Sequence, residues 1–285
     1  LKTFFEKKGR KTARKIPDNL KKNRLYKIIK KLYNHITTDV YLISYPKCGR
    51  TWLRLMLGKT IEEYFNLKPK EKEELIELYP LSAYGSKIPK IFPTHDDDPQ
   101  FKKIESINTN KSIYRNKKVI FLVRNPRDVI VSCYFQHKKR ENEFDGELND
   151  YISNGAGNIN SIIKFYNIWK QNREVVDDFL LIRYEDMHKN TKRELKRTLN
   201  FVGLNKIKDK ILSSAVEYAS FDNMRRMEKK NEFNSDRLKP GDKRDEESYK
   251  TRKGKVGGYK DYLNEEEIEY LNKQIKNNLS SYFNY

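Results

Sequence analysis

The sequence predicts an α/β protein with three layers, in which a central, mostly parallel sheet is flanked by helices. Short unbroken apolar runs, such as Val119–Val123, are typical of strands that are buried on both faces. These runs alternate with segments of helical periodicity, and that alternation is typical of a parallel sheet covered by helices. The chain has 285 residues and no evident linker, so we expect a single domain over residues 1–285.

The individual elements follow from the apolar pattern along the chain. The predicted strands are Val40–Ser44, Ile88–Phe92, Val119–Val123 and Phe179–Ile182. A charged helix or loop is predicted for Lys68–Leu78. Apolar residues at helical spacing predict helices at Thr51–Phe65, Arg127–Gln136, Ile159–Val176, Thr191–Phe201, Lys206–Ala219 and Glu265–Leu279.

Two segments lie outside this pattern. Residues 1–36 are strongly basic and contain a short amphipathic helix from about Leu25, which serves either as a docking helix or as a contact to a membrane surface or polyanion. The segment Glu228–Arg252 is polar and contains Pro240-Gly241. It predicts a long loop, and we expect this loop to be a mobile lid.

Composition limits the class of protein. The net charge of +20 favours an anionic partner, such as nucleic acid, an anionic membrane or a highly charged cofactor. Only two cysteines occur, Cys48 and Cys133, which excludes a disulfide framework and favours a reducing, cytoplasmic compartment. No apolar run is long enough to predict a transmembrane helix.

The segment after the first strand has the pattern of a phosphate-binding loop. It contains Pro46, Lys47 and Gly49 and leads directly into a predicted helix. Backbone N–H groups at a helix N-terminus bind anions, and the helix dipole favours negative charge there. The Walker spacing Gly-x-x-x-x-Gly-Lys-Ser/Thr is absent, so the loop favours a phosphorylated nucleotide other than an ATP–magnesium complex.

Two later segments offer further anion contacts. Arg124 follows a buried strand, where its guanidinium can bind a phosphate with two hydrogen bonds, and Ser132 adds a hydroxyl. Arg252-Lys253-Gly254, at the end of the long loop, places two cations beside a glycine. The strand-end positions of the first two segments, and of Thr94-His95, place them where parallel sheets bind ligands.

These segments resemble the motifs of the soluble, cytosolic-type sulfotransferases that use 3′-phosphoadenosine 5′-phosphosulfate (PAPS). That family carries Tyr-Pro-Lys-Ser-Gly-Thr-Thr-Trp, then Arg-Asn-x-x-Asp-x-x-x-Ser, then Arg-Lys-Gly-x-x-Gly. In the same order this chain has Tyr45-Pro46-Lys47-Cys48-Gly49-Arg50-Thr51-Trp52, Arg124-Asn125-Pro126-Arg127-Asp128 with Ser132, and Arg252-Lys253-Gly254 with Gly257. Tyr184-Glu185-Asp186-Met187 and Ser220-Phe221 match two further family segments, so the resemblance covers about residues 39–260 and implies the P-loop-like sulfotransferase fold.

The resemblance implies how PAPS would be held. The phosphosulfate end would contact the first motif, through Lys47, Cys48, Gly49, Arg50, Thr51 and Trp52. The 3′-phosphate would contact Arg124, Ser132, Arg252, Lys253 and Gly254. Trp52 would stack on the adenine, near Tyr184, Ser220 and Phe221.

The resemblance also implies the catalytic groups. His95, after Thr94, corresponds to the base that takes the acceptor's proton, and Lys47 stabilises the leaving phosphate. No metal is expected, because no His/Cys cluster has the spacing of metal ligands. The chain departs from the family at Cys48, at Arg50 and at Pro93, which replaces a lysine. We expect the thiol pKa of Cys48 to be lowered, because Cys48 lies beside Lys47 at a helix N-terminus.

The expected function is transfer of the sulfonate of PAPS to a hydroxyl or amine of a small molecule, with release of 3′-phosphoadenosine 5′-phosphate (PAP). The acceptor is not determined by the sequence, although 12% aromatic residues would allow a phenolic or steroid-like one. No nucleic-acid partner is expected. The dimerisation segment of the family is matched only at Lys260 and Glu269, so we expect a monomer or weak homodimer. The alternatives are an ATP-dependent small-molecule kinase and a non-catalytic polyanion-binding protein.

Overall fold

The computed structural model describes residues 32–154 and 156–285. The chain forms two compact units, with the boundary after Thr38. In the first unit, residues 32–37 are helical, and the rest of the predicted basic segment lies outside the described residues. The second unit, Asp39–Tyr285, carries the sheet. The assignment of residues 1–285 to one domain stays a prediction.

Within the described residues the sheet has four strands, all of them parallel, in the order β2-β1-β3-β4. These strands are β1 (Val40–Ser44), β2 (Ile91–Thr94), β3 (Lys118–Val123) and β4 (Asp178–Arg183). The α/β fold class with a central parallel sheet is therefore confirmed. The predicted Ile88–Phe92 strand lies further along the chain than expected, because β2 is an edge strand and can include Pro93 without losing a ladder hydrogen bond.

The part of the chain that the structure describes contains ten α-helices from residue 50 onward, and we number them in chain order. They are α1 (Arg50–Tyr64), α2 (Glu74–Glu77), α3 (Pro126–Phe135), α4 (Leu148–Ser153), α5 (Ile159–Gln171), α6 (Tyr184–Lys189), α7 (Thr191–Phe201), α8 (Asp209–Tyr218), α9 (Phe221–Lys229) and α10 (Glu265–Asn278). A π-helical turn, Gln136–Arg140, extends α3. None of the helices that the structure describes is long and apolar enough to cross a membrane.

The central strands form the middle of the hydrophobic core. All of β1 and Val119–Val123 of β3 are buried, as expected for strands covered on both faces. Phe121 of β3 contacts Trp169 and Phe165 of α5, with ring centroids 5.7 and 5.9 Å apart. Aromatic side chains thus supply much of the core.

The strand register brings the predicted site segments to one edge of the sheet. Ser44, the last residue of β1, lies beside Leu122, and Val123, the last of β3, lies beside Arg183. Ile43 lies beside Thr94. The loops that follow all four strands therefore start at the same edge, where parallel sheets bind ligands.

Candidate active site

The loop between β1 and α1 forms a cradle around the N-terminus of α1. Lys47 and Gly49 both have left-handed backbones, with φ of 66° and 91°. A Cβ on Gly49 would lie 2.5 Å from Cδ2 of Tyr184, so no larger residue fits here. The first N–H groups of α1 have no partners within the helix and are available to an anion.

Arg50 is a buried cation with an unused donor. It is 8% exposed, and its Nη1 has no hydrogen-bond partner among the residues that the structure describes. Burial, with the nearby charge of Arg54, lowers the pKa of its guanidinium well below the usual value. Because an unpaired buried donor is costly, the site suits an anionic ligand that accepts from Arg50.

Cys48 lies beneath the cradle rather than in it. Its side chain is fully buried, and Sγ lies 3.3 Å from Oη of Tyr166 in α5. The expected lowering of the thiol pKa is wrong, because burial raises the pKa of Cys48 to about 12. The thiol therefore packs against the core and is not accessible to a ligand.

Tyr166 joins the first two anion-binding segments from below. Its Oη donates to the carbonyl oxygen of Arg124 at 2.9 Å and accepts from the Arg124 N–H at 3.0 Å. The same hydroxyl contacts Cys48. The cradle and the strand end that carries Arg124 are thereby held in fixed positions relative to each other.

The side chain of Arg124 contacts three other segments of the chain. Nη1 donates to the carbonyl oxygen of Lys47 at 3.2 Å, and Nη2 donates to that of Lys255 at 3.0 Å. The guanidinium lies 4.3 Å from the ring centroid of Tyr184. Its buried Nε has no hydrogen-bond partner in the described part of the chain, so a ligand phosphate can accept from it.

The C-terminal basic motif is brought to the same site by Asp128 of α3. The buried carboxylate of Asp128 accepts from the N–H groups of Gly257 at 2.9 Å and Tyr259 at 3.0 Å. A Cβ on Gly254, whose φ is 61°, would lie 2.3 Å from Cδ2 of Phe221. The glycine thus allows close contact between this segment and α9.

One cavity, which we call the nucleotide cavity, collects most of the predicted binding residues. Its walls include Lys47, Gly49, Arg50, Thr51, Trp52, His95, Arg124, Ser132, Tyr184, Phe221, Arg252, Lys253 and Gly254. Ser220, predicted to lie near the adenine, is exposed and precedes α9 without lining the cavity. Its role as a contact stays a prediction, as does that of Cys48.

An aromatic wall lies between the cationic groups of the nucleotide cavity. The ring of Tyr184 is 5.9 Å from that of Trp52 and 4.5 Å from that of His188. His188 also lines the cavity, and sequence reasoning missed it. The sequence could have indicated His188 by its position four residues after Tyr184, because this spacing on α6 places both side chains on one helix face.

His95, directly after β2, is held as a neutral imidazole. Its Nδ1 lies 2.8 Å from the carbonyl oxygen of Ser44. Because a carbonyl oxygen only accepts, Nδ1 carries the proton and Nε2 keeps its lone pair. Burial, together with the charge of Arg50, lowers the pKa of His95 well below its usual value, so Nε2 is free to take a proton at neutral pH.

Lys47 projects toward the same space. Its Nζ donates to Oε1 of Gln136 at 2.9 Å. Burial, with the charges of Arg140 and Arg252 nearby, lowers the pKa of Lys47 to about 7. An anion bound beside it would favour the charged form.

Comparison with known proteins identifies the family. The sequence pattern of the sulfotransferase domain matches residues 37–283. The chain belongs to the sulfotransferase family. This sulfotransferase is 28% identical over 257 residues to the 3-alpha-hydroxysteroid sulfotransferase of Cavia porcellus, a match that covers 86% of this chain and 84% of that one. It is 25% identical to the amine sulfotransferase of Oryctolagus cuniculus, over 86% and 81% of the two chains.

Solved structures show the same fold. A mouse sulfotransferase in complex with PAP superimposes with a TM-score of 0.58 at 20% identity, covering 85% of this sulfotransferase and 84% of that chain. A retinol dehydratase in complex with androsterone and PAP superimposes with a TM-score of 0.57 at 21% identity, covering 85% of this chain and 80% of that chain. The predicted sulfotransferase fold is therefore confirmed.

A second cavity of this sulfotransferase lies next to the nucleotide cavity and shares part of its lining. Its volume is about 460 Å³, and it shares with the nucleotide cavity the side chains Lys47, His95, Arg237 and Lys250. We call it the acceptor cavity. Its other walls are Pro46, Glu73, Glu77, Gln100, Phe101, Gln136, His137, Arg140, Glu141, Ser235 and Asp236.

Lys250 and Arg237 at this junction were not predicted. Both come from the segment 228–252, which begins with the last two residues of α9 and otherwise contains short 3₁₀ turns. That this segment is a mobile lid stays a prediction. Burial, with the nearby charge of Lys47, lowers the pKa of Lys250 well below its usual value. This segment has no periodic pattern that would predict either side chain to lie at the site.

His137, Glu141 and Glu143 bring possible metal-ligand atoms within 4.8 Å of one another. Both carboxylates are exposed, and His137 Nδ1 lies 2.7 Å from the hydroxyl of Tyr151. Exposed carboxylates of this kind are common without a metal, so we assign no metal site.

Proposed function

We propose that this protein binds PAPS in the nucleotide cavity and transfers its sulfonate to a hydroxyl or amine of a small molecule in the acceptor cavity, releasing PAP. The observation that carries the proposal is the meeting of the two cavities at His95 and Lys47. A base and a cation lie where a donor in one cavity would face an acceptor in the other. We also propose a cytoplasmic location, and a monomer or weak homodimer.

The residues present fit PAPS. The unpaired donors Arg50 Nη1 and Arg124 Nε provide anion contacts, and the glycine-dependent cradle leaves backbone N–H groups open. Arg50 would bind the phosphosulfate, whereas Arg124, Ser132 and Arg252 would bind the 3′-phosphate. The aromatic wall of Trp52 and Tyr184 would hold the adenine. Two structural neighbours were solved with PAP.

PAPS supplies an activated sulfonate whose bond to the 5′-phosphate is broken as the acceptor bond forms. His95 Nε2 takes the proton of the acceptor hydroxyl, which makes the oxygen a better nucleophile. Lys47 neutralises the charge that develops on the leaving phosphate oxygen. Transfer needs no covalent enzyme intermediate, so positioning and electrostatics supply the rate.

Lys250 is placed to supply a further cation at the junction. The family has a lysine where this chain has Pro93. Lys250 comes from a different segment, but its charge is among those that lower the pKa of His95. It would neutralise the charge of the sulfonate during transfer.

The direct test is turnover. Purified protein is incubated with PAPS and a mixed panel of acceptors, and the release of PAP and the gain of one sulfonate in acceptor mass are measured. We expect PAP release that depends on an acceptor and that persists when magnesium is removed by chelation. Transfer from ATP that requires magnesium would instead favour a kinase.

A further inference from the structure

The acceptor cavity is lined mainly by polar side chains. Only Pro46 and Phe101 among its lining residues are apolar, whereas cavities for drug-sized ligands are usually lined by apolar and aromatic groups. The curated relatives carry names as different as hydroxysteroid, amine and flavonol sulfotransferase. The cavity itself must therefore decide the acceptor of this chain.

Gln100 offers a hydrogen-bond acceptor that nothing in the described protein uses. Its side chain is 6% exposed and lines the cavity, and its buried Oε1 has no hydrogen-bond partner among the described residues. A buried acceptor without a partner destabilises the protein, because it has lost its hydrogen bond to water. A bound molecule that donates an O–H to Gln100 would replace that hydrogen bond.

Three of the four carboxylates that line the cavity already accept a hydrogen bond from the protein. Glu77 accepts from Arg237 at 2.9 Å, and Glu73 accepts from the hydroxyl of Ser235 at 2.6 Å. Glu141 accepts from Nε2 of Gln136 at 2.5 Å. The reaction junction itself carries Lys47, Lys250 and Arg237. The lining as a whole carries four basic side chains and four carboxylates. Because these numbers are equal, the lining attracts neither a cation nor an anion, which fits an uncharged acceptor.

Phe101 provides an aromatic platform on the wall of this polar cavity. Its ring is 56% exposed and is stacked on His137 with ring centroids 5.5 Å apart. The face of an aromatic ring is electronegative and attracts C–H groups that carry partial positive charge. The C–H groups on one face of a sugar ring have this character, whereas its hydroxyls point outward to polar partners.

We propose that the acceptor is an uncharged polyhydroxylated molecule of the saccharide class, packed on Phe101 and hydrogen-bonded to Gln100. This inference rests on the proposed function. One acceptor hydroxyl gives its proton to His95 Nε2 and forms the new S–O bond, while the electron pair of the broken S–O bond leaves on the phosphate of PAP. A steroid would leave the polar walls unpaired, and sites built to hydrogen-bond a hydroxyl strongly reject ligands that lack one.

The test compares acceptor classes on the purified full chain with PAPS. The panel contains hexoses, disaccharides and cyclitols, with 4-nitrophenol, a 3-hydroxysteroid and a primary amine as competitors. We expect saccharide products that are heavier by one sulfonate, with kcat/KM at least about 100-fold above the best competitor.

Two variants link this result to the cavity. Gln100→Leu should raise KM for the saccharide by roughly 5- to 30-fold and leave the Kd for PAP unchanged. Phe101→Ala should also raise KM, whereas Ile113→Ala, a control with a similarly exposed apolar side chain (51%), should not. Unchanged KM in both cavity variants would contradict the placement.

The outcomes separate the two proposals. Preference for the phenol, steroid or amine overturns the saccharide inference while the sulfotransferase function stands. Absence of saccharide sulfonation across the panel also overturns it, whichever other acceptors react. Failure to bind PAP, measured by calorimetry, overturns the proposed function itself.

Discussion

His95 is the residue on which proton transfer is proposed to depend. Replacing it by alanine removes Nε2 but leaves the phosphate contacts, so His95→Ala should lower kcat by about 10²- to 10⁴-fold and leave the Kd for PAP nearly unchanged. Turnover is measured by PAP release and binding by calorimetry. His188→Ala is the matched control, because that histidine lines the nucleotide cavity but not the acceptor cavity. Wild-type turnover of His95→Ala would exclude it as the base.

Arg124 is proposed to bind the 3′-phosphate, and AMP, which lacks this group, isolates that contact. Arg124→Ala should weaken PAP binding by roughly 10- to 100-fold while AMP binding changes little. Arg173→Ala is the control, because this exposed arginine pairs with neighbouring Glu174 and lines neither cavity. Equal losses for PAP and AMP would place Arg124 elsewhere on the nucleotide.

Lys47 predicts a pH dependence for PAP binding. Its pKa of about 7 in the free protein should rise beside the bound anion, so binding takes up protons. The affinity contributed by this proton is fully present below pH 7 and is lost as pH rises through the pKa of the bound form. Calorimetry between pH 7 and 9, in buffers of different ionisation enthalpy, measures the uptake. Lys47→Met should reduce it, and an undiminished uptake would contradict the assignment.

The residues also show where sequence patterns stop being informative. Gly49 and Arg50, which the motif predicts to bind the cofactor, both line the nucleotide cavity, because their positions depend on local backbone geometry. The expected lowering of the thiol pKa was wrong for Cys48, because burial in the core raises that pKa. A pKa depends on three-dimensional burial, which the local pattern does not contain.

At the scale of elements, the strands and long helices were predicted well. The strand Val40–Ser44 and the helix Thr191–Phe201 have the predicted bounds, because apolar periodicity is strong in both. Three short helices, α4, α6 and α9, were missed, since one or two turns carry too few apolar residues to show a period. Helix α5 ends at Gln171, before the predicted Val176, because Val175 and Val176 belong to the turn into β4.

The two ends of the segment 228–252 are joined by one buried carboxylate. Glu228 accepts from the N–H groups of Lys250 at 2.6 Å and Thr251 at 2.9 Å, and also from the hydroxyl of Thr251. This contact fixes the position of Lys250 at the cavity junction. No local sequence pattern could reveal it, because the partners are more than twenty residues apart.

Lys250 should act on the transferred sulfonate more than on the nucleotide. Lys250→Met should lower kcat by roughly 10- to 100-fold and weaken PAP binding much less, because PAP lacks the sulfonate. Lys243→Met, an exposed lysine of the same segment that lines neither cavity, should behave as wild type. A loss of PAP affinity equal to the loss in kcat would instead assign Lys250 to the phosphates.

At the scale of the whole molecule, the net charge of +20 is compatible both with a PAPS enzyme and with a polyanion-binding protein. The difference lies in how the charge is arranged. The parallel register collects loops from four strand ends at one edge, and there cations surround a concave, partly buried site. A polyanion-binding surface would instead depend on exposed lysines, whose interactions are strongly screened by salt.

Thermal unfolding at two salt concentrations distinguishes these arrangements. PAP at 100 times its Kd should stabilise the fold by about 2.7 kcal/mol, a rise in Tm of roughly 5 °C or more. Much of this rise should persist at high salt, because the binding groups are buried, and ATP at the same concentration should give a smaller rise. An oligonucleotide that raises Tm more than PAP at low salt, and not at high salt, would show that the charge serves a polyanion.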